Sequence, residues 1–446
     1  MLGPQLQYQS LKTVLLHTDP NTRFRISAHM PSIRDVEKVI PLKMRNLDMS
    51  YDCTTVVNDT TYEVGIIRHV PDGPSPAMSD SDFDEFGFPF TAGSNVMLPG
   101  DVSFQREDRQ EVREDTELDE RRCRYQLRAR EKALEKHSEL ESKGITVEDY
   151  LKSLGPITRN RASEEEVAMR HFLTYPPELL SGTIEHFKLA LLSFDCRRNN
   201  TKPPFTCYVQ LDITKGERKQ IHRFEYNKKL FEASKGLNEA LFGRRAMSIQ
   251  VERFVLNRWK TVIYRLPMGF RVHANHVHTS HDTLAHESFP LLVENSESLV
   301  SIDMMNSGRC VAFETETVRR AKRLVIRNVT TFVVQRLTEG IRHLPNIEIT
   351  IVDPSRTSEE IFILIQTWLT ADRPVGASFC IEVEDEETAE QILRSIQTQY
   401  EMTNRTDRCV TIQKTDFTTV ELFYVPYTPR REYSNKGILK IRIVKI

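Results

Sequence analysis

The apolar positions of this chain change period along its length, and each change marks a different kind of structure. From Leu6 to Leu42 they fall at helical spacing, in three short runs separated by prolines. Leu11, Val14 and Leu15 make one apolar face. Asp19-Pro20 ends that run and opens the next, with Asp19 as N-cap and Pro20 at the first helical position. Pro31 breaks the second run, and Ser32 with Asp35, three apart, gives a weaker form of the capping box before Ile33, Val36 and Ile40. A core drawn from about forty residues is too small to be stable alone. The pattern therefore predicts helices that complete themselves against a partner; it suits equally an N-terminal helical cap on a larger domain.

The period then becomes two. Thr54-Thr55-Val56-Val57 leads into Asn58-Asp59, residues that tolerate a tight turn, and Tyr62, Val64 and Ile66 alternate beyond it, so residues 43–70 are expected to hold a β-hairpin. From Pro71 to Arg161 the pattern lapses. Pro71-Asp72-Gly73-Pro74 opens a polar loop with an acidic, aromatic patch, and residues 105–143 are dense in Arg, Glu, Asp and Lys without a heptad, as in a solvated helix held by neighbouring ion pairs. We expect residues 71–161 to be a flexible spacer.

The second half alternates in short bursts at Thr206–Leu211, Ile249–Leu256, Phe270–Val272, Leu299–Ile302, Leu324–Asn328 and Ile347–Ile351. Centred on Val251, Val272, Ser301, Val325 and Ile349, the steps are about 21 to 29 residues, the range of leucine-rich repeats, and Leu324-x-Ile326-x-Asn328 echoes that repeat. Helical patterns lie between, one of them opening on Thr357-Ser358-Glu359-Glu360. Strands alternating with helices predict parallel strands joined by right-handed crossovers, and the short step favours an irregular α/β solenoid over residues 162–446, with a β-rich C-terminal cap. The alternative is an irregular α/β domain with coincidental spacing.

Composition adds limits. The net charge of −2 gives no overall pull towards nucleic acid or an anionic membrane, no apolar run has the length of a membrane span, and Met1-Leu2-Gly3-Pro4 opens no signal peptide. Seven scattered cysteines, with no CxxC pair, suit free thiols in a reducing compartment, so a cytoplasmic or nuclear location is expected. Hydrolase elbows, phosphate-binding loops and HExxH are absent. One dense cluster, His273, His276, His278, His281 and His286, places His276 and His278 on one face of a strand, with His281 or Asp282 as a third ligand if a metal were held. Exposed or hydrogen-bonded histidines are the simpler reading, and no metal, cofactor or catalytic residue is expected. The basic run at Arg319–Arg323 has no interleaved aromatics and reads as a solvated helix.

The N-terminal residues resemble an F-box. The resemblance runs through Leu6 and Tyr8, Leu11 to Leu15, Asp19-Pro20, Arg23-Phe24-Arg25-Ile26-Ser27 and Pro31-Ser32-Ile33-Arg34, although Gln7 stands where the family has proline. The chain as a whole resembles the nematode F-box C proteins, a family whose large domain has no assigned function. Asn58-Asp59-Thr60-Thr61-Tyr62, the stretch Pro203–Leu211, and Glu225–Leu230 with Leu241–Arg245 carry that likeness, while residues 163–187 do not fit it. The resemblance implies a Skp-type adaptor and a cullin scaffold as partners. Leu6, Tyr8, Leu11, Leu15, Asp19, Pro20, Phe24, Ile26 and Ile33 would make the adaptor contact. A substrate protein would lie on exposed strand positions of the solenoid, for which Arg253, Arg271, His276, Arg327 and Glu348 are candidates. The reading is a non-catalytic substrate-recognition subunit of a Skp-cullin-F-box type ubiquitin ligase. The alternatives are a scaffold with a degenerate F-box and a metal-dependent enzyme using residues 273–286.

Overall fold

A computed structural model describes residues 8–49, 53–71, 78–90, 96–104, 117–154, 164–256, 263–305, 311–327, 334–353, 356–406, 408–426 and 437–446. Three helices lead in: α1 (Tyr8–Leu16), α2 (Pro20–His29) and α3 (Pro31–Val39). Asp19 caps α2 by accepting from the N–H groups of Asn21 at 3.0 Å and Thr22 at 3.4 Å, and Pro20 sits where its missing N–H is not needed. The chain passes at once into β1 (Lys43–Asp48), and β2 (Thr54–Val57) and β3 (Thr60–His69) form the hairpin. Its turn residue Asn58 has φ 55°, and its side chain accepts from the N–H groups of Arg45 and Asn46, tying the turn to β1.

The expected spacer is largely packed structure where it is described. The short strand β4 (Met78–Ser79) adds to β3, β5 (Asp82–Phe83) pairs β6 (Pro89–Phe90), and β7 (Val102–Ser103) pairs β11 (Ile263–Tyr264). Phe83 is buried beside Val64 and Ile66. The Asp82 carboxylate accepts from the Leu230 N–H at 3.0 Å and the Tyr226 hydroxyl at 2.6 Å. The helices α4 (Glu117–Ser142), α5 (Val147–Leu154), α6 (Glu164–Phe172) and α7 (Pro177–Asn199) share a core of Ala129, Ala133, Phe172, Leu173 and Leu180. From Glu164 on, the segment 163–187, which does not fit the family likeness, thus belongs to a helical group built on the charged helix. Arg130 lies over the Phe172 ring at 3.8 Å, so one cation of that helix is an apolar partner as well as a charge.

The rest of the chain runs β8 (Thr206–Lys215), β9 (Arg218–Glu225), α8 (Leu230–Phe242), β10 (Ile249–Leu256), β12 (Val272–Ser280), α9 (His281–Leu284), α10 (Phe289–Leu292) and β13 (Ser301–Met305). A 3-10 turn (Val311–Glu314), α11 (Glu316–Arg320), β14 (Arg323–Arg327), α12 (Val334–His343), β15 (Glu348–Val352), α13 (Ser358–Thr370), β16 (Ser378–Val383) and α14 (Glu386–Gln399) follow. The chain ends in β17 (Met402–Thr406), β18 (Cys409–Thr415), β19 (Thr418–Val425) and β20 (Gly437–Lys445). Sixteen strands make one mixed α/β sheet, in the order β17-β18-β19-β20-β16-β15-β14-β13-β12-β10-β1-β2-β3-β8-β9 with β4 beside β3. From β10 to β16 the neighbours are parallel and follow chain order, and β1 adds parallel to β10. The strands β1, β2 and β3 therefore extend the main sheet in addition to forming their hairpin.

Across the parallel strands, an in-register row of Phe254, Val277, Ile302, Leu324, Ile349 and Phe379 is fully buried. The connecting helices pack on it through side chains such as Leu292, Val318, Leu337, Leu364, Trp368 and Ile392. Trp368 stacks on Phe379 with ring centres 5.9 Å apart. The helix that carries Trp368 starts in a complete capping box between Thr357 and Glu360. Buried or half-buried polar side chains close successive connections. Asn295 exchanges two hydrogen bonds with the backbone of Ala274, Asn346 donates to the carbonyls of Val318 and Ala321, and Arg373 donates to those of Ile341 and Leu344. Asn328, which echoed the repeat in the sequence, lies outside the described residues. Among the described residues no helix is long and apolar enough to cross a membrane.

Candidate interaction surfaces

The helical triplet is fastened to its own chain through a buried charge cluster. Glu37, wholly buried on α3, receives Arg23 at 2.9 Å and Arg245 at 2.8 Å. The same Arg23 guanidinium donates to the carbonyls of Glu37, Ile40 and Pro41, which end α3. Lys38 donates to the carbonyls of Ala240 and Leu241 at the C-terminus of α8, both at 3.0 Å. Burial lowers the Lys38 ammonium to about 8, and Arg245 adds to the effect while Glu37 opposes it. Phe24 meets Phe242 edge to face at 6.0 Å. On the hairpin side the Tyr62 hydroxyl donates to Asn21, whose amide donates to the Val57 carbonyl.

These contacts sort the residues expected to meet an adaptor. Leu15, Pro20 and Phe24 are buried within the chain, Leu11, Ile26 and Ile33 are half-buried, Tyr8 and Asp19 are exposed, and Leu6 lies outside the described residues. The apolar side chains left most open on the triplet are others. Val14 is 52% exposed, Met30 49%, Val39 47% and Leu16 44%, alongside Tyr8 at 51%. Helical spacing picked out Leu11, Val14 and Leu15 as one face, but it did not show that Leu15 alone would be claimed by the chain's own core.

The second surface is the face of the parallel sheet opposite the buried row. Register places Arg253, His276, Ser301, Arg323, Glu348 and Ser378 side by side across six strands, and all but Ser301 are partly or fully exposed. Three of the five positions expected to meet a substrate, Arg253, His276 and Glu348, therefore share a row. Arg327 stands further along β14, in register with Met305 and Val352. Arg271 is exposed just before β12, and its carbonyl accepts from Ile249. Cross-strand ion pairs hold the face. Arg323 meets Glu348 at 3.0 Å. Asp303, only 7% exposed, receives Arg327 at 2.7 and 2.9 Å and lies 3.3 Å from His278. Burial pushes the Asp303 carboxyl up, but His278 and Arg327 together outweigh it and hold it below the ordinary carboxylate value. Asp303 was missed in the sequence, where its signal is a lone acid inside the apolar run Ile302-Asp303-Met304.

His276 and His278 both face this side, as their spacing predicts, in neighbouring rows. The side chains of His281 and Asp282 lie outside the described residues. Among the described residues no group of three or more His, Cys, Asp or Glu could hold a metal ion. Burial raises the thiol of Cys380, on the same face, to about 11, which keeps it a thiol rather than a nucleophilic thiolate at neutral pH.

The class the geometry defines is a mixed α/β sheet with consecutive parallel strands, helices packed on one face and an ion-paired opposite face. Residues 229–385, which span α8 to the end of β16, match the family model described as a domain of unknown function, DUF3557. No curated protein matches the chain. Among solved structures, an S-adenosylmethionine-dependent methyltransferase from Clostridium acetobutylicum ATCC 824 is similar at 9% identity, over 34% of this chain and 87% of that one, with a TM-score of 0.15. A likeness at that level carries no argument about fold or activity.

Proposed function

We propose that the protein is a non-catalytic substrate-recruiting subunit of a Skp-cullin-F-box type ubiquitin ligase. The N-terminal triplet is its F-box, and the parallel sheet is a leucine-rich-repeat-like solenoid whose ion-paired face receives a substrate protein. The observation that carries the proposal is the double character of the triplet. Arg23, Glu37, Lys38 and Arg245 fasten it to the sheet domain, while Tyr8, Val14, Leu16, Met30 and Val39 stay open to solvent. Apolar side chains of that size offer the desolvated anchors that dominate protein–protein binding. A fixed attachment sets where the substrate stands relative to the adaptor, and the ligase's contribution is then proximity, with ubiquitin transfer on other subunits. The sheet face supports the second half: Arg253, His276, Arg323 and Glu348 give a polar, charged row suited to reading a protein surface.

Affinity purification of tagged full-length protein tests both halves. Adaptor and cullin are expected to co-purify with the wild type and to be lost from a Val14→Asp, Leu16→Asp variant. Arg253→Glu with Arg323→Glu is expected to keep the adaptor and change the remaining captured proteins. Undiminished adaptor capture by the first variant would overturn the docking assignment.

A further inference from the structure

At one end of the sheet, β9 is an outermost strand, and every one of its eight residues is exposed. Ile221 is 50% and Phe224 55% open, on opposite faces of the same strand. Strands of this length with apolar residues and a free backbone edge are templates for pairing; proteins that avoid pairing shorten, bulge, charge or cover them, so the charges of β9 decide what it can pair with. Here the pairing with β8 is unbroken from Arg218 to Glu225. Among the described residues the edge is regular and uncovered.

We propose that this edge pairs with β9 of a second copy of the chain, antiparallel about a twofold axis, joining two sheets into one. The occupant follows from charge. An antiparallel edge-to-edge pair about a twofold keeps directly opposed side chains on the same side of the sheet, so only residues of like parity can face each other. With His222 opposite the partner's His222, Lys219 faces Glu225 twice over, Ile221 faces Arg223 and Gln220 faces Phe224. Centring on Ile221 instead sets Lys219 against Arg223, and centring on Arg223 sets that cation against itself. Centring on Gln220 opposes no unlike charges within the strand, and centring on Phe224 overlaps only residues 223–225 of it. Like charges directly opposite destabilise a strand pair and unlike charges stabilise it, so of the registers with long overlap the His222 one is selected. Within one copy Lys219 is already held by Asp212 at 2.8 Å and Arg223 by Gln210 at 3.0 Å. Lys219 has three donors and needs only one for Asp212, leaving others for a glutamate across the twofold. A contact of two eight-residue strands is smaller than a standard interface, so a concentration-dependent monomer–dimer equilibrium is expected rather than an obligate dimer.

Sedimentation equilibrium of the full-length protein, over a wide concentration range, tests this. The wild type is expected to dimerise. Glu225→Lys, which sets two lysines face to face, should weaken the dimer about tenfold or more. A His222→Cys variant checks the register without relying on charge. Under mild oxidation, peptide mapping should find residue 222 of one copy disulfide-linked to residue 222 of the other, because both kinds of opposed pair in an antiparallel ladder lie within disulfide reach. A wild type that stays monomeric throughout would overturn the proposal, as would a dimer with no linkage between the two residues 222 that Glu225→Lys leaves intact.

Discussion

Asp303 illustrates how single residues shape the open face of the sheet. Its carboxylate accepts two bonds from Arg327 and sits beside His278, joining three adjacent strands at a site only 7% exposed. Asp303→Asn removes the charge that both neighbours face, and should cost about 2–4 kcal/mol of stability at pH 7, read from urea unfolding. The sign of its pH dependence follows from the depressed folded pKa. The contribution is complete above the ordinary carboxylate pKa of about 3.9 and is lost as pH falls through the folded value, so wild type and variant should converge on acidification. Leu15, at 1% exposure, is a poor place to test binding. An aspartate there disrupts the core before it reports on binding, whereas Val14 and Leu16 on either side can be changed with the core intact. Asp19-Pro20 was legible because capping is local. The Glu37 cluster was not, because Arg245 lies 208 residues away.

Among elements, the strands were easiest to read where one face is apolar. Leu324 to Ile326 and Ile349 to Ile351 are buried, and their alternation or apolar run stands out in the sequence. The long strand Val272–Ser280 is legible only at its start. Its buried positions include Ala274 and Thr279, small or polar residues that weaken the alternation, and His273, His276 and His278 point to chemistry instead. The charged helix Glu117–Ser142 is obscured for a related reason. Its buried stripe is built on Ala129, Ala133 and Leu140, and alanine contributes little to an apolar pattern while packing closely. Ala133→Asp should therefore destabilise the group of helices α4 to α7 by about 2–4 kcal/mol. Protease cleavage should move into Glu164–Asn199 while the parallel sheet stays protected. Equal protection of that segment in variant and wild type would mean that the helix does not support it. Deleting the whole of α4 should have the same consequence.

For the whole molecule, one continuous sheet connects the N-terminal triplet to the C-terminal strands, and this connection decides how the triplet can meet a partner. The step of about 21 to 29 residues was visible in the sequence, and the parallel strands do follow one another in chain order. What periodicity did not reveal was the direct passage from α3 into β1, which pairs with β10 some two hundred residues later. Such long-range pairing leaves no mark on local spacing. The consequence is a triplet packed against the sheet domain rather than held on a tether, with Tyr8, Val14, Leu16, Met30 and Val39 exposed. The most direct measurement is sedimentation velocity of purified full-length protein mixed with a purified Skp-type adaptor. The expected result is co-sedimentation with one adaptor per chain, weakened at least about tenfold by Val14→Asp with Leu16→Asp, a loss of roughly 1.4 kcal/mol or more in binding. Two separate boundaries for wild type and adaptor at roughly 100 μM, where even a modest specific complex forms, would contradict it.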